Sequence, residues 1–252
     1  MTATRGAPSQ TAPPSEVGSS PHPRTLGLVA GLGVAASTHY YREIVRACTA
    51  RNVVPDIVLI HADVTHTLRL AAAGQSSELA DYLAAIFHRL ALAGAQIAAI
   101  PAITPHLCAA ELAQRSPLPF INILDTLAHE ARLRNIHRAA IFGTRAVMQS
   151  NLFGALPEVE LIQSTPDETT LIHTTYLNLV NTASATPQQH AALTSLAQTL
   201  IARERLDAIL LAGTELSLLF TPASTPFPHL DAARLHIDAI LNAMLEPATR
   251  TK

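Results

Sequence analysis

The run TLGLVAGLG at 25–33 is continuously apolar until it stops at glycines, and beyond it Tyr41, Ile44, Val45 and Cys48 recur every three or four positions. That change of period predicts a buried strand, a glycine turn and a helix beginning near Ser37. DIVLIHA (56–62) reads as a second strand. In ELADYLAAIFHRLALAG, Leu79, Leu83, Ile86 and Leu90 share one helical face, and Gly94 follows as a C-terminal stop. QIAAIPA and PFINIL (119–124) read as further strands. Apolar strands alternating with helical periods imply βαβ units and a parallel sheet.

The same order returns from residue 138. RAAIFGTRAVMQSNLFGAL reads as strand, glycine turn and helix, ELIQST (160–165) as a short strand, and PDETTLIHTTYLNLV as a helix whose acidic first turn suits the helix dipole. TPQQHAALTSLAQTLIARER offers Thr186 as N-cap, Pro187 at the first helical position and Gln189 at the third, with Leu193, Leu196 and Leu200 on one face. DAILLAGTEL is a strand ending on small residues, and FPHLDAARLHIDAILNAML runs from strand to helix. Gly31 and Ala102 stand 71 positions apart and Gly143 and Gly213 stand 70 apart. Each series closes on an apolar run leading to an Asp that opens a helix, ILD at 123–125 and HLD at 229–231.

The expected fold is therefore α/β, with two similar three-layer parallel-sheet halves of flavodoxin-like kind. A pseudo-twofold axis would relate them, leaving a cleft between. Residues 1–24, rich in Pro, Ser and Thr with no apolar block, are expected to form a disordered tail. The first half is expected to comprise 25–125 with 226–252, and the second 126–225. Ligands of open parallel sheets bind beyond the carboxyl ends of the strands. Facing halves would pool the ends of IPAITPH (100–106) and LLAGTEL (210–216) on opposite walls of one cleft.

Composition narrows the partners. A chain of 252 residues with 48% hydrophobic and 14% charged residues has ample material for a core, which the absence of Trp leaves to Leu, Ala, Ile and Val. A formal net charge of −2 argues against a nucleic-acid partner. No stretch is long and apolar enough to span a membrane, so a soluble, cytoplasmic protein is expected. Cys48 and Cys108 make neither a metal spacing nor a disulfide framework, and His61 and His66 have no zinc spacing. GLVAGLG departs from the GxGxxG dinucleotide pattern. No metal and no cofactor are expected.

GLVAGLGVAASTHYYREIV, IPAITPH, AAIFGTRAVMQSNLF, LLAGTEL and LDAARLH, taken in order, resemble the aspartate/glutamate racemase superfamily. The resemblance covers almost the whole chain after residue 24. It implies a glycine-rich opening followed by the Tyr40–Tyr41 pair, a Gly-Thr element at Gly143–Thr144, and a closing Asp and His at Asp231 and His236. Racemization in that family needs a thiol on each face of the substrate. The two cysteine positions it implies here are Ala102 and Gly213, neither of which can carry a proton. The Arg and Lys that hold carboxylates in family aspartate racemases fall on Leu68, with Arg69 one residue off, and on Val180, four residues after Tyr176. A dicarboxylic amino acid becomes a poor substrate for such a cleft. The family commonly forms dimers, and a homodimer is expected on that ground.

Acid–base work would then fall to Glu215, beyond a strand end, where burial shifts a carboxyl towards neutrality; the plainer alternative is a Glu that caps the next helix. Thr104 and Thr214 are candidate donors to a substrate carboxylate or enolate, or else satisfy local backbone. The backbone N–H groups after Ala102 and Gly213 make an oxyanion site. His106 and His236 match family positions, with core packing as the alternative, and His39 is a weaker candidate. Gly31, Leu32, Ala102, Ile103, Gly143, Thr144, Tyr176, Gly213 and His236 are expected to line the substrate site.

Three functions follow from these residues. The first is a thiol-independent lyase, isomerase or cyclase acting through an enolate on a small carbonyl or carboxylate compound, in specialised biosynthesis. The second is a catalytically silent binding or partner protein. The third is a racemase working through Cys108. An open cleft with Glu215 unpaired favours the first, and a side-chain plug at Ala102 and Gly213 favours the second.

Overall fold

The computed structural model describes residues 23–246, so the tail expected at the N-terminus lies, up to residue 22, outside the described residues. Strand β1 (Leu26–Ala30), helix α1 (Val34–Thr49), β2 (Ile57–His61), α2 (Val64–Ala72), α3 (Ser76–Leu92), β3 (Ile97–Ala99), α4 (Ala109–Arg115), β4 (Phe120–Ile121) and α5 (Ile123–Leu133) come first. Then follow β5 (Arg138–Phe142), α6 (Arg145–Gln149), β6 (Glu160–Ile162), α7 (Pro166–Thr182), α8 (Pro187–Glu204), β7 (Ala208–Leu211), α9 (Leu216–Leu219), β8 (His229–Asp231) and α10 (Ala232–Leu245).

Two four-stranded sheets result, ordered β2-β1-β3-β4 and β6-β5-β7-β8. Every pairing is parallel, with Leu26 opposite both Ile57 and Ile97, and Ala139 opposite Ala208. The two halves thus repeat one strand order, as the spacing of the glycine turns requires. Strand alternation sorts the first core. Leu26, Leu28, Ile97 and Ala99 face α1 and α10, while Val29, Ala98 and Ile100 face α3. Helix α5 is buried in the second half's core through Ile123, Leu124 and Leu127, whereas α10, which follows the second sheet, closes the first. Each half therefore lends its last helix to the other, and that exchange fixes the cleft between them.

Several local expectations shift. Helix α1 starts at Val34, not Ser37, and buries Tyr40 rather than Tyr41, because Ala36, Ser37, Tyr40, Ile44 and Cys48 form its inward stripe. Helix α2, capped by the Asp63 side chain on the His66 N–H, was hidden by its short polar-rich sequence. PFINIL forms a strand only at Phe120–Ile121, since Asn122 accepts a hydrogen bond from Leu124 N–H and opens α5. ILD therefore lies in a helix, while HLD is strand β8, with Asp231 capping α10. The helix expected through NLFGAL stops at Gln149, and Asn151, Leu152 and Phe153 turn left-handed, which carries Leu152 into the core. The capping box at Thr186 and Gln189 is present. Among the described residues no helix is long and apolar enough to cross a membrane.

Candidate active site

Beyond β3 the chain runs through Ile100, Pro101, Ala102 and Ile103 into a 3-10 turn at Thr104–Cys108. Beyond β7 it runs through Ala212, Gly213, Thr214 and Glu215 into α9. The two strand ends wall a cavity of about 130 Å³ between the halves. Leu32, Ala102, Ile103, Thr104, Thr144, Tyr176, Thr214 and Glu215 line it, together with Val64 and Leu68 from α2 and Leu177 and Val180 from α7. A larger cavity of about 350 Å³, around Arg132, Leu156 and Pro157, lies at the opposite ends of the strands, where β5 and β6 begin.

Glu215 is 1% exposed. Its Oε2 accepts a 2.6 Å hydrogen bond from the Tyr176 hydroxyl, and the Thr214 hydroxyl lies 3.1 Å from the same oxygen. Thr214 also reaches Pro101 O at 3.5 Å, across the cleft, so its single proton serves either acceptor. Glu215 is therefore paired, so the unpaired carboxyl that would favour the enzyme reading is not what the geometry presents. A carboxyl removed from water without donors is costly, and two hydroxyls supply them. Burial, and next the charge of Glu215, hold the Tyr176 phenol well above its usual range, so Tyr176 stays a donor.

Gly213 lies under the Tyr176 ring. A Cβ built there would meet Tyr176 Cε2 at 2.3 Å and Cδ2 at 2.7 Å. The aromatic ring fills the volume that any side chain at 213 would occupy. Ala102, on the facing wall, presents its methyl to open cavity. One wall is plugged and the other is not.

The histidines stand behind the cavity. His106 Nδ1 is 2.8 Å from Ala102 O, and its Nε2 accepts from Ile123 N–H at 3.4 Å. His236 Nε2 lies 2.8 Å from Ile121 O, which makes it the donor and leaves Nδ1 to accept from the Tyr40 hydroxyl at 3.1 Å. Both are buried, their rings 6.3 Å apart. Burial, with His236 beside it, lowers His106 to about 3, and burial lowers His236 to about 4. Neutral and doubly bonded, His106 ties the Ala102 backbone to the start of α5, and His236 ties α1 to β4. Gly31, at φ +90°, turns the chain out of β1 beneath His61 and lines an outer groove with Tyr41 and Leu59. Gly143 packs against Ala212 O, and Thr144 both lines the cavity and caps α6 on Val147 N–H. His39 lies against a separate groove with Glu43 and Arg234.

No cysteine lines the cavity. Cys48 packs in the first core with Tyr40 and Ile44, and Cys108 donates its thiol proton to Pro105 O at 3.2 Å. Burial, with Glu111 adding, pushes Cys108 up to about 12, far from a working thiolate. Among the described residues no Arg or His lines the cavity either. Leu68 and Val180 stand on its wall, while Arg69 turns towards Gln75.

Sequence reasoning missed Val64, Thr67, Pro105, Val147 and Leu177 as lining residues. Val64, Thr67 and Leu68 are spaced as one face of α2, a signal lost once that helix went unread. Leu177 and Val180 were legible as neighbours of Tyr176 on α7.

Two parallel α/β sheets facing a shared cleft at their carboxyl ends define a class, and the comparisons place this chain within it. The pattern of the Asp/Glu/hydantoin racemase family matches residues 29–240, so the chain belongs to that family. Its fold is similar to that of an Asp/Glu racemase candidate from Yersinia pestis, at a TM-score of 0.77 and 23% identity over 88% of this chain and 100% of that one. An aspartate racemase homologue from Pyrococcus horikoshii gives 0.75 and 17% over 88% and 100%. Arylmalonate decarboxylase gives 0.54 and 13% over 87% and 92%. At these identities the likenesses show the fold, and they show that the fold also carries an activity named as a decarboxylation.

Proposed function

We propose that this chain is a thiol-independent enzyme of the racemase family that moves a proton on one face of a small carbonyl or carboxylate compound through an enolate. The observation that carries the reading is that, among the described residues lining the cavity, Glu215 is the single carboxyl group and none is a thiol, imidazole or cation. A catalytic base needs a partner that fixes its orientation, and Tyr176 and Thr214 supply it. Glu215 would take a proton from a carbon activated by one or two carbonyls. The bonding pair passes into the enolate, whose oxygen would be met by the backbone N–H after Ala102. Return of that proton to another atom gives isomerisation, expulsion of a leaving group gives a lyase, and attack by the enolate carbon on an internal electrophile gives a cyclase. Each pKa unit between base and carbon acid costs about 1.4 kcal/mol, so an activated carbonyl compound suits a lone carboxylate far better than an amino acid. Leu68, Val180 and Ile103 favour a substrate with little charge.

A cleft with apolar walls and one proton carrier needs no metal or cofactor for this step. The homodimer expected from the family is part of the same proposal. The test is solvent-deuterium exchange into a panel of β-keto esters, 1,3-diketones and cyclic ketones, compared with Glu215→Gln. Exchange lost in that variant while ligand binding persists supports the reading; exchange unchanged removes Glu215 from it.

A second reading, a silent binding protein, is favoured by the Tyr176 ring over Gly213 and the small cavity. Exchange into no compound, with ligands that still raise the melting temperature, would establish it. Racemization through Cys108 has no support from the thiol's burial and bonding.

A further inference from the structure

Gly33 is the N-cap of α1, yet its backbone, at φ −167° and ψ 106°, is extended and open to any residue. N-caps favour Ser, Thr, Asp and Asn because a side-chain oxygen satisfies the free N–H groups of the first turn. Here no side-chain cap bond is made. The reason lies across the cleft. A Cβ at Gly33 would stand 2.4 Å from Glu215 Oε1, while the next atoms, Glu215 Cδ and Ala36 Cβ, lie at ordinary contact distances of 3.5 and 3.6 Å. Backbone conformation does not require glycine at this position; the carboxylate does.

Glu215 therefore touches both halves. Oε2 is held by Tyr176 and Thr214 in the second, and Oε1 rests against the start of α1 in the first. The positive end of a helix dipole favours an anion there. Tyr40, on the same helix, has its phenol raised by burial, then by Asp231 and Glu215. We infer that Gly33 is a positioning residue: its missing side chain makes the slot that seats the Glu215 carboxylate against the first turn of α1 and fixes which way the acid faces the cavity. This rests on the reading of Glu215 as the working acid–base group, but its test does not require turnover.

The experiment follows the Tyr176 ring carbon that bears the hydroxyl by NMR in selectively labelled protein, assigned through Tyr176→Phe, together with thermal unfolding. Gly33→Ala is expected to move this resonance in the direction that Glu215→Gln moves it, and to lower the melting temperature by on the order of 5 °C. In the Glu215→Asp background, where the acid is one methylene shorter, Gly33→Ala is expected to cost little further stability. Should Gly33→Ala alone fail to fold, recovery of a folded Gly33→Ala/Glu215→Asp chain supports the proposal. An unmoved resonance, or a stability loss that is the same in both backgrounds, overturns it. A moved resonance in a chain that turns over nothing supports the seating of Glu215 and counts only against the enzyme reading.

Discussion

Tyr176 and Gly213 share one volume: the ring of the first stands 2.3 Å from where a Cβ of the second would lie. That relationship ties together the plugged wall, the hydrogen bond to Glu215 and the one-sided cavity. Gly213→Cys should therefore not restore a family-like site. It should lower stability by about 1–3 kcal/mol through overpacking, and the same Gly213→Cys change should cost much less when made in a Tyr176→Ala background, where the ring is gone. Urea unfolding of the two variants and the double variant measures it.

Removing only the hydroxyl separates packing from bonding. Tyr176→Phe keeps the ring over Gly213 and deletes the 2.6 Å bond to Glu215. A buried acceptor deprived of its donor costs about 1–3 kcal/mol, read as a lower urea midpoint with an unchanged slope. Deuterium exchange should fall as well, because Thr214 alone would orient the acid.

The paired histidines set an acid limit. His106 and His236 sit at about 3 and about 4 in the fold against 6.5 when exposed. Both are depressed, so the unfolded chain binds the extra protons. Stability is fully present above pH 6.5 and falls as the pH drops from 6.5 towards 4, by up to about 1.4 kcal/mol per pH unit for each histidine. Urea unfolding between pH 7 and pH 4.5 should show this slope, and His236→Gln should reduce it.

The sequence made the two similar α/β halves legible because two series of apolar runs stop on small residues at nearly equal spacing, Gly31 to Ala102 and Gly143 to Gly213. It also pointed to Glu215 and Tyr176, both of which line the cavity. What it could not reveal depends on contacts between distant segments. Nothing local to Gly33 or Gly213 says that a carboxylate and an aromatic ring from elsewhere occupy their missing side chains. His106 and His236 look alike in a string of letters, and only the structure reveals their backbone partners, Ala102 O and Ile121 O. Helix α2 was missed because its inward stripe is just Thr67 and Leu70.

Charge on the wall decides which ligands enter. With the apolar Leu68 and Val180 on the cavity wall, aspartate and glutamate should leave the melting temperature unchanged. Leu68→Arg with Val180→Lys should make the same dicarboxylates raise it by a few degrees, by mass-action stabilisation of the liganded fold. Differential scanning fluorimetry is sufficient to see either result.

The most direct test is deuterium exchange followed by NMR in three chains: the unaltered protein, Cys48→Ala/Cys108→Ala, and Glu215→Gln. The account predicts label entering one face of an activated carbonyl compound at equal rates in the first two, and a loss of about 100-fold or more in the third. Exchange that depends on either cysteine, or that survives Glu215→Gln, would contradict it.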